Sequence, residues 1–265
     1  MKPEKEIVIE LEDVHKSFGS QKVLDGVSLK ILAGTTTVIV GASGQGKSVI
    51  LKHMLGLLKP DSGQVRVFGR DLAQCNKADM RQIRSSFGVL FQNIALFDSM
   101  NVYDNVALPL RERTRSNEKQ VRVAVEEKLA LMGLEGQEDK FPAQLSGGMK
   151  KRVGLARALM LDPKVVFFDE PTTGLDVNKS NEIYRLFYRT QQQLNYTAVI
   201  VSHDVPKIFK LSDYVALIAN SRMHGPLSPE VFQLSDNPLI RDFVLETMGP
   251  IYSSETEESL LYETF

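Results

Sequence analysis

Gly41-Ala42-Ser43-Gly44-Gln45-Gly46-Lys47-Ser48 fits the phosphate-loop pattern G-x-x-x-x-G-K-[ST]. An apolar run, Thr37-Val38-Ile39-Val40, precedes it, and Val49-Ile50-Leu51-Lys52-His53-Met54-Leu55 follows. The order is strand, glycine-rich loop, helix, which is the context the pattern requires. Backbone N–H groups of such a loop and of the helix start converge on an anion. Glycines let the backbone approach without a Cβ in the way. Lys47 can reach the β- and γ-phosphates, and Ser48 can ligate Mg²⁺. The candidate phosphate-binding set is Gly41, Ser43, Gly44, Gly46, Lys47, Ser48 and Val49. By itself the motif says only that a nucleoside triphosphate binds; a plain strand-to-helix turn is the rival, and the flanks weigh against it.

At 265 residues the chain can bury a sizeable core, as one large domain or one domain with an inserted subdomain. Apolar content of 43% and charge of 25% place it among ordinary globular proteins. A net charge of −1 provides no overall pull toward nucleic acid. The single Cys75 excludes an intrachain disulfide and suits a reducing compartment. No apolar run approaches the ~18 residues of a membrane span, and the charged start Met1-Lys2-Pro3-Glu4-Lys5-Glu6 has no secretory h-region. A cytoplasmic protein is expected, with any membrane role peripheral and through a partner.

Along the chain, Ile7 to Val14 alternates as a strand with Ile7, Ile9 and Leu11 on one face, and Val23 to Leu32 as another with Val27, Leu29 and Ile31. Phe18, between them, is placed either to stack on a base or to cap the sheet edge. Gln64 to Phe68 reads as a strand, Lys77 to Arg84 as a helix, and Phe87 to Phe91 as a buried strand ending at Gln92. From Met100 to Leu161 the pattern turns helical. One helix spans Asn101 to Leu110, closed near Pro109; a second, Ser116 to Leu131, turns Val121, Val125, Leu129 and Met132 to one face. This predicts a helical subdomain, about residues 93–161, inserted into an α/β core.

Ser146 is a candidate N-cap for a helix that opens with Gly147 and Gly148, again exposing N–H groups to an anion. Val165-Val166-Phe167-Phe168 reads as a central parallel strand ending in Asp169-Glu170. A tight loop through Gly174-Leu175-Asp176 leads to a helix from Asn178 to Leu194; Tyr196 to Val201 is a strand ending at Ser202-His203-Asp204, and Tyr214 to Ala219 is the last clear strand. Strands alternating with helices imply a parallel sheet covered on both faces, with its active edge at the carboxyl ends of the strands. Gly41, Gln92, Asp169-Glu170 and His203 all fall at such ends. Beside a phosphate loop, Asp169 is placed to hold Mg²⁺ and Glu170 to orient or deprotonate the attacking water. His203 can bond the γ-phosphate, and Gln92 can contact Mg²⁺ or the water.

Taken together these segments resemble the nucleotide-binding subunits of ABC transporters over about residues 7–248. The resemblance rests on Gly41–Ser48 (Walker A), Gln92 (Q-loop), Leu145-Ser146-Gly147-Gly148-Met149 (signature), Val165–Glu170 (Walker B), Gly174-Leu175-Asp176 (D-loop) and His203 (H-loop). It implies a P-loop α/β fold with a mostly parallel sheet, an N-terminal antiparallel β-subdomain and the inserted helices. It implies ATP and Mg²⁺ as ligands, hydrolysis to ADP and phosphate, and a head-to-tail homodimer. Each ATP site would take Walker A, Walker B and His203 from one subunit and Ser146 to Gly148 from the other, with Asp176 at the same junction. Phe18 stands at an aromatic position that is usually Tyr.

A finer similarity, to the ATPases of Mce-type lipid transporters including the Mla phospholipid system, is carried by Phe91 to Glu112, by Met149 in the signature, by Asp169 to Asp176, and by Asn237 to Phe243 followed by Gly249-Pro250. Val177 departs from a usual proline, and Asn220-Ser221-Arg222 replaces the usual Gly-Lys hairpin. The similarity implies an integral membrane permease, an Mce-domain protein and a STAS-domain regulator as partners, on the cytoplasmic side of a bacterial inner membrane. Leu96, Phe97 and Met100 are expected partly to line a permease groove and partly to belong to the core. The segment 249–265 reads either as a disordered terminus or as a partner-binding extension. Two rivals stand beside lipid transport. One is an importer ATPase for small solutes such as amino acids or metal–chelates; against the methionine-import type, the ~60 residues after His203 leave little room for a further regulatory domain. The other is a soluble ABC ATPase acting on DNA or ribosomes. Against it, about 50 residues separate Gln92 from Ser146 without sustained heptads, and the chain holds one cassette.

Overall fold

The computed structural model describes residues 5–203 and 208–249. The phosphate loop joins β3 (Thr36–Val40) to α1 (Lys47–Met54), as its flanks require. Around this unit lie two sheets. One is antiparallel, in the order β2-β1-β4-β5, from β1 (Ile7–Phe18), β2 (Gln21–Leu32), β4 (Ser62–Val67) and β5 (Arg70–Asp71). The other has the order β10-β9-β3-β8-β7-β6, from β3 with β6 (Phe87–Leu90), β7 (Val165–Asp169), β8 (Thr197–Val201), β9 (Tyr214–Ala219) and β10 (Arg222–Leu227). Its strands run parallel except β10, which returns antiparallel to β9.

The apolar strands β3, β7, β8 and β9 serve two layers at once. Successive residues of a strand point to opposite faces. Val38, Val166, Phe168, Ile200 and Leu217 face the helices, in one cluster. Ile39, Val165, Phe167, Val201 and Ile218 face the antiparallel sheet, in a second cluster that also takes Ile50 and Met54 of α1. Burying both faces is why these strands lack polar alternation.

The remaining helices are α2 (Lys77–Ser85), α3 (Val102–Arg113), α4 (Glu118–Leu131), α5 (Gly147–Ala158), α6 (Val177–Leu194), α7 (Pro229–Gln233) and α8 (Pro238–Met248). Side-chain caps begin most of them. Asn76 with Asp79, and Asn117 with Gln120, form capping boxes on α2 and α4. Asn101, Ser146 and Asp176 cap α3, α5 and α6. On α4 the expected face is the buried one, with Val121, Val125, Leu129 and Met132 all fully shielded.

Four local readings need correction. Pro109 does not close α3, which runs on to Arg113. Arg111 ties that last turn to Asp104 and Glu118, and Thr114 returns its backbone N–H and its hydroxyl to the Leu110 carbonyl. At the start of β1 a register irregularity between Ile7 and Ile9 buries Val8 and exposes Ile7, reversing their expected faces. The strand before Gln92 is buried or half-buried as expected but stands at the sheet edge, and it ends at Leu90 with Phe91 exposed rather than within it. Tyr214–Ala219 is not the last strand. Asn220 and Ser221, both at positive φ (51° and 62°), make a two-residue hairpin turn into β10. Asp204 and the tail from Pro250 onward lie outside the described residues.

Candidate active site

Register fixes the site before any side chain is considered. Val40 pairs with Leu217, and Asp169 with Val201, so Gly41, Glu170 and Ser202 leave the sheet along one edge. Gly46 begins α1 at φ 99°, a left-handed turn open to glycine, and a Cβ there would lie 2.9 Å from Val23 Cγ1. The turn aims the loop's N–H groups and Lys47 back over the sheet edge.

Lys47 is buried, and its Nζ donates to the carbonyls of Gly41 at 2.6 Å and Ala42 at 3.0 Å. It also lies 3.8 Å from Glu170 Oε1. Burial pushes the Lys47 ammonium below the ordinary lysine range, while Glu170 and Asp169 pull it back. The other oxygen of Glu170 accepts a 2.6 Å hydrogen bond from His203 Nδ1, so an ionised carboxylate fixes the proton on that nitrogen. Glu170 itself sits at φ 46° with its N–H bonded to the Val201 carbonyl. A non-glycine residue in the left-handed region costs about 1 kcal/mol or more. Here the strain separates the directions of two adjacent carboxylates.

Asp169 points elsewhere. Its Oδ1 is buried with no hydrogen-bond partner, and the Ser48 hydroxyl lies beside the carboxyl. Burial first, and the neighbouring Glu170 second, push the Asp169 carboxyl above the usual range; Ser48, Lys52 and Lys47 oppose them. A shielded carboxylate oxygen without a partner, beside a serine hydroxyl, fits a hard divalent cation. No cluster of three or more His, Cys, Asp or Glu able to hold a metal occurs among the described residues. Such a cation would therefore complete its shell with phosphate oxygens and water, as Mg²⁺ does.

The other expected site residues are more scattered. Gln92 is exposed two residues beyond the end of β6, and its side chain bonds none of the residues above. Phe18, at the end of β1, is 49% exposed and belongs to neither apolar cluster; Lys16 Nζ lies 5.6 Å from its ring centroid. Ser146, Gly147 and Gly148 open α5, with the Ser146 hydroxyl accepting from the Met149 N–H at 3.3 Å. Among the described residues no hydrogen bond or ion pair joins these three to Gly41–Ser48. Asp176 is occupied locally: it accepts from the Lys179 backbone at 2.9 Å and pairs with the Lys179 ammonium at 2.8 Å, which holds its carboxyl below the usual range. Of Leu96, Phe97 and Met100, Leu96 packs on the helical-side core and Phe97 stays exposed. A cleft of about 1170 Å³ opens elsewhere, between the end of α1, α2 and the end of α3, and none of the three lines it.

Sequence reasoning missed the support beneath the site. Gln45 Oε1 accepts from the Asn220 backbone N–H at 3.2 Å, and Ser221 bonds the Lys22 carbonyl. The β9–β10 hairpin thus braces both the phosphate loop and β2. The two-residue turn was the available signal.

Residues 24–173 match the family model described as ABC transporter. The chain belongs to the ABC transporter family. It is an ABC ATPase, and its fold is that of ABC cassettes. The chain of cbiO1 from Clostridium perfringens, part of the ABC transporter complex cbiONQ, superposes with a TM-score of 0.80 at 30% identity, covering 93% of this chain and 98% of that one. A dimeric ATP-binding cassette in a post-hydrolysis state, bound to ADP and Pi, superposes with a TM-score of 0.75 at 28% identity, covering 83% and 98%. Among ABC proteins similar in sequence is the probable ribonucleotide transport ATP-binding protein mkl of Mycobacterium leprae, 44% identical over 97% of this chain and 75% of that protein. The intermembrane phospholipid transport ATP-binding protein MlaF of Haemophilus influenzae is 34% identical over 97% and 98%. The methionine import protein MetN of Clostridium tetani is 39% identical over 80% and 66%.

Proposed function

We propose that this chain is the ATP-hydrolysing subunit of a lipid transporter, working as a homodimer against a membrane permease. The observation that carries the hydrolytic half is Glu170, held between Lys47 at 3.8 Å and His203 at 2.6 Å beside the phosphate loop. A carboxylate so placed can take a proton from water that attacks the γ-phosphate of ATP. His203 keeps that carboxylate oriented. Lys47, whose contacts are two loop carbonyls, exchanges them for phosphate oxygens when ATP binds. Asp169 and Ser48 are the residues that would hold Mg²⁺, which neutralises charge on the β- and γ-phosphates. Phe18 presents a ring to the adenine, and Gln92 reports the state of the γ-phosphate to the loop that follows it.

Among the described residues no hydrogen bond or ion pair joins the same-chain signature to the phosphate loop. This supports a head-to-tail dimer in which Ser146, Gly147 and Gly148 meet the phosphates bound by a second copy, close to its Asp176. Dimeric cassettes among the structural neighbours support the same arrangement. No helix among the described residues is long and apolar enough to cross a membrane; the proposal sets this subunit against a permease, at its cytoplasmic side. The cleft between α1, α2 and α3 offers Leu58, Leu72 and Met80 beside Arg81, Arg84 and Arg113, and we place the permease contact there.

For the cargo, the names of relatives divide between phospholipid, ribonucleotide and methionine. Alignment with the phospholipid-transport protein runs across nearly the whole of both chains, and this supports lipid. The ribonucleotide reading has the higher identity in its favour. Affinity purification from detergent-solubilised membranes, with mass spectrometry, separates them. A permease accompanied by an Mce-domain protein, with or without a small STAS-domain protein, is the expected result. A permease with a solute-binding protein instead would overturn lipid cargo.

A further inference from the structure

Two cations on α5, Lys151 buried and Arg157 partly buried, have no carboxylate partner among the described residues. Lys151 is 3% exposed, and its Nζ donates to the backbone carbonyl of Gln92 at 3.0 Å. Arg157, two turns on, donates from Nη2 to the carbonyl of Ile94 at 2.8 Å and from Nη1 to Asn105 Oδ1 at 3.5 Å. Neither forms an ion pair among the described residues, and burial pushes both below their ordinary ranges. Sequestering a charge against neutral carbonyls alone is costly, and an apolar side chain would fill the same space more cheaply. The cations therefore call for an account in what they hold.

They hold one loop. Asn105 of α3 is fully buried and grips it from the other side. Its Oδ1 accepts from the Phe97 N–H at 2.9 Å, and its Nδ2 donates to the carbonyls of Phe97, Met100 and Asn101. Within the loop Ile94 and Ala95 take positive φ of 60° and 51°, a strained conformation for residues with a Cβ. Gly154, between the two cations on α5, admits the loop closely: a Cβ there would lie 2.6 Å from Ile94 Cγ2. Strain of this kind persists only where surrounding contacts over-determine it.

We propose that Lys151 and Arg157 are positioning residues for ATP hydrolysis. They fasten the backbone of Gln92 and Ile94 to the helix that begins at Ser146, so that the Gln92 amide and the Ser146-Gly147-Gly148 turn are carried as one body. The Lys151 contact is made one turn inside that helix. A shift of α5 toward the second copy's nucleotide thus moves Gln92 with it. The inference rests on the assignment of Gln92 to the ATP site above.

The test measures steady-state hydrolysis of Mg-ATP by the full chain for Lys151→Met, Lys151→Arg, Gln92→Ala and the Lys151→Met/Gln92→Ala pair. Lys151→Met should lower kcat by about tenfold or more while leaving KM for ATP within about twofold. Lys151→Arg, which keeps the donor, should recover most of that loss. In the Gln92→Ala background Lys151→Met should cost nothing further, because its effect runs through Gln92. A wild-type kcat for Lys151→Met beside an impaired Gln92→Ala would overturn the inference and leave the site assignment standing. So would equal losses that multiply in the pair. An unimpaired Gln92→Ala would overturn the assignment of Gln92, and the inference with it. Where Lys151→Met does not fold, Arg157→Lys, which keeps the charge and loses the paired contacts, is read by the same kcat and pair criteria.

Discussion

At the scale of single residues, two adjacent carboxylates face different neighbours because the backbone turns between them. Asp169 ends a strand and looks toward Ser48; Glu170, at φ 46°, looks toward Lys47 and His203. The sequence shows the pair and its neighbours. It does not show the left-handed turn, since no propensity favours glutamate there. Asp169 also supplies a test with a definite sign. Its folded pKa lies above its unfolded one, so ionising it costs stability. That cost is absent below the unfolded value of about 3.9 and fully present above the folded one. Asp169→Asn removes the charge. Without nucleotide or divalent cation at neutral pH, the variant should melt above the wild type, by about 2–4 °C for each kcal/mol relieved. The difference should narrow as pH falls toward about 4. Thermal melts across that range decide it, and a variant that melts lower at neutral pH would contradict the burial argument. The same variant should lose MgATP hydrolysis.

At the scale of elements, the strands that serve two apolar layers were the most legible part of the chain. Val165–Phe168 and Thr197–Val201 are apolar on both faces because each face meets a different core. Elements decided by local bonding were less legible. Pro109 argues for a helix end, and α3 instead runs through it, anchored at its close by Arg111 and Thr114. A proline inside a helix is about 3 kcal/mol less favourable than alanine, offset in part by the entropy it removes from the unfolded chain. Pro109→Ala should therefore stabilise the fold by about 2 kcal/mol on that balance. A urea denaturation midpoint that rises at unchanged slope would bear this out; a fall would mean that the proline fixes the direction of the chain into Arg113. The β9–β10 hairpin was only half legible: the resemblance expects a turn at Asn220-Ser221, but the pair lacks the glycine that usually marks one, and β10 after it is not among the expected strands. That hairpin reaches Gln45 of the phosphate loop.

At the scale of the whole molecule, the catalytic edge was legible and the completed site was not. Gly41, Gln92, Asp169, Glu170 and His203 fall at strand ends in any parallel arrangement of these elements, and the sheet order brings Glu170 between Lys47 and His203. Among the described residues no hydrogen bond or ion pair joins Ser146, Gly147 and Gly148 to Gly41–Ser48, and one chain's periodicity carries no information about a second copy. The account joins these facts through ATP. We propose that Glu170 acts as the base and that the nucleotide closes two copies on each other. Glu170→Gln keeps the side chain's shape and removes the base, so it tests both halves together. With Mg-ATP, hydrolysis by Glu170→Gln should fall by about 100-fold or more. ATP should stay bound, and the protein should sediment as a dimer. Turnover at the wild-type rate by that variant would contradict the account.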